Sequence, residues 1–498
     1  MGRNPECLDQ DERGSLADDV HHPRHRRDKV EAMARFFQLL TFHDGYLDAF
    51  YLQHPEVARM AYQDHLRALM EDGFGGGHLL APYLADLGHA AGFTVVNSRP
   101  LQESWCRENG EPFPAWPEGE KELAARQVAA FAPDVLYLSE SLGYDSRFLR
   151  TLPALPRLVL GWRAARISPD VDWTLFDAIL SSGRHCLRIA RERGARDAVY
   201  SFPGFAPFIA DKVRGVPKIH DVVFCGPLTQ EHGTCSALLT EIAKAPLGIR
   251  GDLRPAFFIH PLTPERIPAG VAMHDHGPRW GTDMYEALAS ARIVVNANID
   301  IPGGEGPNMR LFEATGCGAF LLTERQHNIE VFFEPGVEVE TFSSPSEMLD
   351  KIYYYLAHPE EREAIAARGH ARCMKDYVQP RRALALDRLI RNELGSAEGV
   401  TDFGPDGARR AVDLLEQAEK LAAGGKPSEA RELLGAAEAL AGPGIFGLEH
   451  CRAVILDAEG DAEGSLWAAR KEVLAHPEND RARCFFSQLM MSGAERTC

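Results

Sequence analysis

Residues 298–324 of this 498-residue chain, NIDIPGGEGPNMRLFEATGCGAFLLTE, are its most informative segment. It contains the end of the apolar run ARIVVNAN, which predicts a buried strand, and continues through a glycine-rich turn into a helical segment. Pro307 suits the first turn of that helix because its missing N–H would have no partner there. The helix is predicted to end at the glycines around Cys317, where a second buried strand begins. Such a strand–turn–helix–strand unit indicates an α/β fold with a parallel sheet.

The turn itself has the composition of an anion-binding site. Amides around Gly303 and Gly304, together with the N-terminus of the helix, can hold a diphosphate. Glu305 in the turn and Glu313 in the helix form an E-x7-E spacing, and each can accept hydrogen bonds from sugar hydroxyls. Arg310 lies in the first helical turn, where a positive charge opposes the helix dipole. Its position there is better explained by the binding of an anion. The residues alone are also compatible with a surface helix, since isolated helical glutamates are usually solvated.

Further apolar runs extend this pattern in both directions. They alternate with amphipathic segments such as EKELAARQVAAFAP, so the sequence predicts parallel sheets with helices on both faces. The proline- and glycine-rich segment SFPGFAPFIADKVRGVPK separates two series and indicates two domains facing a cleft, the default ligand site. The predicted strands are, in chain order, ARFFQLLTF, FTVVN, VLYLS, RLVLGW, FDAILSS, DVVFCG, AFFIH, ARIVVNAN, AFLLTE and VEVETF.

The two ends of the chain differ from this α/β body. Residues 1–32 lack apolar periodicity and are predicted to be a disordered tail. After about residue 395, two similar segments place Pro443 and Pro477 34 positions apart, which is the tetratricopeptide period; an irregular helical tail is the alternative. The predicted division is 33–205 and 206–382 for two Rossmann-like domains, 383–399 for a crossover helix and linker, and 400–498 for helical repeats.

Charge and composition exclude several classes of function. The formal net charge of −18, from 72 acidic and 54 basic residues, disfavours binding to nucleic acid or to an anionic membrane. No apolar run approaches the ~20 residues that a bilayer helix needs, and the first residues contain no signal-peptide pattern. The ten cysteines include no CxxC pair and predict neither a zinc site nor a disulfide framework. We expect a cytoplasmic protein without a metal or other cofactor.

The E-x7-E segment resembles the retaining GT-B glycosyltransferases of family 4. With the preceding MYEALASARIVVNA it resembles, more narrowly, the spore maturation protein CgeB-like branch. The likeness extends over roughly residues 35–392, including TFHDGYLDAFYLQHP and PLQESWCRENG, and leaves out the tail and the repeats. It implies a metal-independent, hexosyl-type transferase that binds a nucleotide-diphosphate sugar between two Rossmann-like domains. The acceptor would be a protein or a surface glycan, and the repeats would present that acceptor or a partner subunit.

The resemblance also implies roles for individual residues. Glu313 would accept hydrogen bonds from the ribose, while Glu305 would face the transferred sugar and act with Arg310 in catalysis. His43 would line the acceptor cleft and would not be a catalytic base. The residues assigned to the nucleotide sugar are Gly226, Thr229, His232, Gly303, Gly304, Glu305, Asn308, Arg310 and Glu313, and those assigned to the acceptor cleft are His43, Asp44 and Tyr46.

One loop departs from the family pattern. Where these enzymes commonly place an Arg and a Lys that clamp the diphosphate, this chain has Pro227 and His232. Either His232 and Arg310 neutralise the diphosphate, or donor binding is weak or lost. This departure makes a non-catalytic nucleotide-sugar-binding scaffold that works through its helical repeats the first alternative. A nucleotide-sugar epimerase, which could use the same two-domain cleft, is the second.

Overall fold

The computed structural model describes residues 33–228, 233–245, 253–261, 267–298, 307–326, 328–395, 405–441, 447–475 and 479–495. The predicted tail at residues 1–32 lies outside these ranges. So do five of the predicted site residues, which are Thr229, His232, Gly303, Gly304 and Glu305. The assignments of these residues stay predictions.

A six-stranded parallel sheet in the order β2-β1-β3-β4-β5-β6 forms the first half of the chain. Its inner strands are buried on both faces because helices cover both sides. The strands are β1 (Arg35–Leu40), β2 (Ala90–Val95), β3 (Val135–Leu138), β4 (Leu158–Trp162), β5 (Ala178–Ser181) and β6 (Asp197–Tyr200). The helices are α1 (Asp44–Gln53), α2 (Tyr62–Asp72), α3 (Ala81–Asp86), α4 (Arg99–Asn109), α5 (Glu120–Phe131), α6 (Ser146–Leu149), α7 (Arg184–Glu192) and α8 (Pro207–Lys212).

A second parallel sheet, in the order β11-β10-β9-β7-β8, forms the second half. Its two faces pack into separate apolar clusters, one around Phe312 and one around Ile352. The strands are β7 (His220–Leu228), β8 (Pro255–Pro261), β9 (Ala291–Asn296), β10 (Phe320–Glu324) and β11 (Glu340–Phe342). The helices are α9 (Gly233–Lys244), α10 (Ala269–Ala272), α11 (Gly281–Ala289), α12 (Met309–Gly316), α13 (Ile329–Phe332), α14 (Pro345–Ala357) and α15 (Pro359–Asp376).

Helix α16 (Gln379–Gly395) leaves the second half and packs on the first sheet. Its apolar face joins a core cluster of the first half through Leu386 and Ile390. Oδ1 of Asp387 lies 2.8 Å from Nε2 of His89, whose side chain is completely buried directly before β2. The helix thus ties the end of the α/β body to its beginning. The exact domain boundaries stay a prediction.

Within the described residues after α16, five further helices form a helical C-terminal region. They are α17 (Pro405–Ala423), α18 (Pro427–Ala441), α19 (Leu448–Ala458), α20 (Ala462–Ala475) and α21 (Asp480–Glu495). Two apolar clusters hold them together, one around Leu415 and one around Phe486. The two parallel sheets with flanking helices, followed by this helical region, confirm the predicted fold class; the tetratricopeptide assignment stays a prediction. None of the helices in the described ranges combines the length and the apolarity that crossing a bilayer requires.

His65 on α2 makes the stability of the first half depend on pH. Its side chain is completely buried, and Nε2 lies 2.6 Å from the hydroxyl of Tyr51. Burial, assisted by Arg107, lowers the pKa of His65 to about 4. Because the folded protein favours the neutral ring, this stabilisation is present above the ordinary pKa of about 6.5 and is lost as the pH falls towards 4.

We therefore expect the His65→Gln variant to have a flatter pH profile of stability than the wild type. Between pH 7 and pH 5 the wild type should lose about 2 kcal/mol more of its free energy of unfolding than the variant, whose amide does not titrate. Urea unfolding followed by circular dichroism at both pH values measures this difference. Equal slopes for the two proteins would show that His65 does not titrate in this range.

Candidate functional site

Asparagines hold both ends of the turn between β9 and α12. Asn308 is the N-cap of α12, and its side-chain oxygen accepts a hydrogen bond of 3.3 Å from the amide of Leu311. Its Nδ2 donates to Oδ1 of Asn298 at 3.0 Å, and Asn296 and Asn308 exchange two hydrogen bonds of 3.2 and 3.0 Å. The N-terminus of α12 is therefore fixed just beyond the carboxyl end of β9, where open parallel sheets bind their ligands.

Arg310 and Glu313 form a buried ion pair on α12. Nη1 of Arg310 lies 2.8 Å from Oε2 of Glu313, and the two side chains are only 14% and 7% exposed. Burial disfavours the charged guanidinium, but the Glu313 carboxylate outweighs it, so the pKa of Arg310 is raised. Among the described residues, Nε of Arg310 has no hydrogen-bond partner. Because a carboxylate has about four acceptor positions, Glu313 retains lone pairs for donors such as hydroxyls.

This pairing gives Arg310 a partner that the sequence analysis did not assign to it. A cation in the first turn of a helix opposes the helix dipole. Here the attraction of Glu313, three residues further along the same helix, compensates for that position. The proposed contact of Arg310 with a diphosphate stays a prediction, whereas its contact with Glu313 is part of the fold.

The ion pair is surrounded by buried groups that carry no charge. Burial raises the pKa of Cys225, within β7, to about 12, and Arg310 and Glu313 have the largest charge effects on it. Burial, followed by the charge of Glu313, also raises the pKa of Tyr285 and Cys317. These groups stay neutral at neutral pH, so the ion pair keeps its strength in a medium of low dielectric constant. The predicted Gly226 lies half-buried in β7, next to Cys225.

His43 lies at the predicted place, between β1 and α1. It is the N-cap of α1, where its Nδ1 accepts a hydrogen bond of 3.1 Å from the amide of Gly45. A neutral imidazole that accepts at Nδ1 carries its proton on Nε2. In this arrangement Nε2 is a donor, which fits a residue that lines a cleft better than it fits a general base.

The other two predicted acceptor residues lie in different surroundings. Asp44 is exposed at the start of α1 and accepts a hydrogen bond of 3.0 Å from Nδ2 of Asn97. Tyr46 is only 1% exposed and stacks on Phe74, with ring centroids 3.9 Å apart. Burial, together with the nearby Asp72, raises the pKa of its hydroxyl. Asp44 can therefore reach a ligand directly, whereas Tyr46 supports the loop from within the core.

Three aromatic side chains join the two halves at His43. The indole of Trp280, which precedes α11, stacks on the imidazole of His43 with centroids 5.0 Å apart and an interplanar angle of 22°. His260, at the end of β8, meets His43 edge-on at 4.4 Å. Burial lowers the pKa of His260. No role for Trp280 or His260 was predicted from the sequence, although a tryptophan in a polar loop is typical of an interface.

A second junction brings the start of α12 against the first half. A Cβ atom built on Gly77 would lie 3.1 Å from Cε of Met309, the first residue of α12. The carbonyl of Gly77 accepts a hydrogen bond of 3.2 Å from the amide of Gly204, and the carbonyl of Gly76 accepts one of 2.7 Å from Nε2 of Gln379. A ligand at the N-terminus of α12 is therefore within reach of both halves.

Residues 254–387 match the family model described as Glycosyl transferase-like. The matched range runs from the residue before β8 into α16, and it contains Asn308, Arg310 and Glu313. A search of curated proteins found no matching relative.

Several solved structures resemble the chain in fold. A glycosyltransferase from Rickettsia africae has 10% sequence identity and a TM-score of 0.45, over 72% of this chain and 98% of its own. Anabaena HepE in complex with UDP-glucose has 12% identity and a TM-score of 0.46, over 73% of this chain and 100% of its own. Sucrose-phosphate synthase from Thermosynechococcus elongatus has 12% identity and a TM-score of 0.45, over the same shares.

The two sheets with their flanking helices are consistent with the two Rossmann-like domains of the GT-B fold. The expected likeness to glycosyltransferases is supported by the family match over residues 254–387. The narrower likeness to the CgeB-like branch stays a prediction.

Proposed function

We propose that the chain is a retaining glycosyltransferase that moves a hexosyl-type sugar from a nucleotide-diphosphate sugar to a protein or surface-glycan acceptor. The observation that carries this proposal is the buried Arg310–Glu313 ion pair on α12. The ion pair with Arg310 holds the Glu313 carboxylate in a defined position, five residues beyond the N-cap residue Asn308. A fixed carboxylate there is suited to accept hydrogen bonds from the two hydroxyls of a ribose.

The diphosphate would lie at the N-terminus of α12. The helix dipole favours negative charge there, and the first amides of a helix have no partner within it. The same effects stabilise a departing diphosphate, so the reaction is proposed to be independent of metal. Gly303, Gly304 and Glu305 belong to this part of the proposal through the family resemblance, with Glu305 facing the transferred sugar.

Retention of configuration is proposed for the transfer. The bond between the anomeric carbon and the diphosphate oxygen breaks, and a bond to the acceptor oxygen forms on the same face of the sugar. The leaving diphosphate accepts the proton of the acceptor hydroxyl, so no protein base is required. The proton expected on Nε2 of His43 supports this route, because an inverting enzyme would need a deprotonated base on that loop.

The experiment that tests the function begins with titration calorimetry against UDP-, GDP-, ADP- and dTDP-sugars. We expect one nucleotide class to bind, followed by slow hydrolysis of that donor, and NMR of the released or transferred sugar should show the anomeric configuration of the donor. An inverted product would overturn the retaining assignment. If none of the four classes binds, the transferase assignment is wrong.

A non-catalytic nucleotide-sugar scaffold is the second candidate. Pro227 is exposed in β7, where related enzymes place a cation for the diphosphate, and it offers no donor there. Binding of a donor without turnover on any acceptor would favour the scaffold. Incubation with donor alone, followed by NMR, would reveal epimerisation, the third alternative.

A further inference from the structure

A cavity lies between the first sheet and α16, at the carboxyl ends of β3–β6. It encloses about 70 Å³, which is room for about five water molecules at 10–15 Å³ each, or for one carboxylate or phosphate group. Residues from β3, β4, β5, β6, α16 and two loops form its walls. The polar and aromatic residues that line it are His78, Tyr137, Trp162, Tyr200, Ser201, Phe202, Gln379 and Arg382.

Arg382 of α16 places a positive charge in the wall of this cavity. Its guanidinium carbon lies 3.9 Å from the ring centroid of Phe202, and its Nε is buried without a hydrogen-bond partner among the described residues. Burial lowers the pKa of Arg382 to about 10, so the side chain remains a cation at neutral pH.

Unlike Arg310 and Arg372, Arg382 has no counter-ion among the described residues. Arg310 pairs with Glu313 at 2.8 Å and Arg372 pairs with Asp376 at 3.1 Å. Within the described ranges, no carboxylate forms an ion pair with Arg382. A buried charge without a partner is costly, and an anionic ligand would remove that cost.

Other residues in the cavity wall can contact the sugar ring that carries the anionic group. The imidazole of His78 contacts the indole of Trp162, with ring centroids 5.1 Å apart. Burial lowers the pKa of His78 to about 4. Its ring is therefore neutral at neutral pH, and Arg382 alone would supply the positive charge. The cavity is too small for a whole pyranose ring, so Arg382 would hold the anionic group inside it, while the partly exposed indole of Trp162 can contact the ring that bears this group.

The cavity adjoins the proposed donor site. Gly77, which lines the cavity, contacts Met309 at the start of α12. Phe202, which also lines it, stacks on Phe312 of α12 with centroids 5.5 Å apart and an interplanar angle of 21°. A group bound in the cavity therefore lies on the first sheet, directly beside the helix that would hold the donor.

From these contacts we infer that the cavity binds the anionic group, a carboxylate or a phosphate, of an acidic carbohydrate acceptor. The inference rests on the proposed function and names the class of its acceptor. Arg382 recognises the charge, and Trp162 contacts the ring that bears it.

Titration calorimetry of the full chain with glucuronate, glucose 6-phosphate and glucose tests this inference. We expect at least one acidic sugar to bind about tenfold or more tightly than glucose, and the two acids separate carboxylate from phosphate recognition. The preference should disappear in Arg382→Gln and persist in Arg382→Lys. Arg381→Gln is the matched control, because Arg381 is the exposed neighbour on the same helix and its loss changes the net charge equally.

A second readout keeps the test independent of the folding of the Arg382 variants. Binding of an acidic sugar should change the tryptophan fluorescence of the wild type, and Trp162→Phe should remove that change. Equal binding of acidic and neutral sugars, or an unchanged preference in folded Arg382→Gln, would overturn the inference. Nucleotide-sugar binding is measured separately: if a donor binds but acids show no preference, only the acceptor inference fails, whereas if acids bind but no donor does, the transferase proposal fails.

Discussion

Replacing Glu313 with Gln should weaken the binding of a nucleotide-diphosphate sugar about ten- to a hundredfold and lower the free energy of unfolding by about 3 kcal/mol. The two losses have different causes. Binding weakens because the amide is a poorer acceptor for ribose hydroxyls than the carboxylate. Stability falls because the guanidinium of Arg310 stays buried without its partner.

A double variant separates these two effects. In Arg310→Met/Glu313→Leu both charges are replaced by apolar groups of similar size, so stability should return to near the wild-type value. Donor binding should remain weak, because the acceptor oxygens are still absent. Unfolding in urea gives the first quantity and calorimetry gives the second.

The matched control is the same exchange at another buried pair, Arg372→Met/Asp376→Leu on α15. The side chains of this pair are 13% and 22% exposed, and they lie outside the proposed site. Donor affinity should be unchanged in this variant. If Arg310→Met/Glu313→Leu binds donor as the wild type does, the role of Glu313 is wrong even where the protein folds well.

Gly369→Ala should destabilise the protein by more than about 2 kcal/mol, although Ala favours a helix more than Gly does. Gly369 lies within α15, and a Cβ atom there would meet the backbone oxygen of Glu338 at 2.2 Å. The same atom would lie 3.5 Å from Cγ2 of Thr315 on α12. Because the carbonyl belongs to the backbone, the clash is relieved only by moving α15 away.

Gly435→Ala should stabilise the protein, in contrast to the destabilisation expected for Gly369→Ala. Gly435 lies exposed within α18, and a Cβ atom there would meet nothing within 4 Å. This variant should stabilise its helix by about 0.5–1 kcal/mol. Urea unfolding of both variants beside the wild type measures the difference, and a shift of the same sign in the two would contradict the steric explanation at Gly369.

The sequence predicted the sheets well because their strands are nearly continuous apolar runs. ARIVVNAN became β9 and AFLLTE became β10, each buried on both faces. Strand β6 was not predicted, since it is a four-residue edge strand whose first residue, Asp197, is exposed. A short, half-buried strand lacks the apolar run from which the others were recognised.

The candidate site was predictable where its residues are neighbours in the chain. Glu313 lies on α12 as expected, although the helix begins at Met309, two residues after Pro307, with Asn308 as its N-cap. The spacing of Arg310 and Glu313 by three residues was itself a signal for an ion pair. The stacking of His43 on Trp280 was not predictable, because it joins loops of different halves. The same holds for the cavity, whose walls combine His78, Trp162 and Arg382 from distant parts of the chain.

The attachment of the C-terminal helices has a mechanical consequence. Nε of Arg470, on α20, donates a hydrogen bond of 2.6 Å to the carbonyl of Val331 on α13, and its guanidinium lies 3.8 Å from Glu338. Both partners belong to the second sheet's half, whereas α16 is packed on the first. A molecule captured by α17–α21 would therefore keep a constant distance from α13. If the two halves moved apart or together, the bound molecule would move with the second half. Its distance from β1 would change by about as much as the distance of α12 from β1 does.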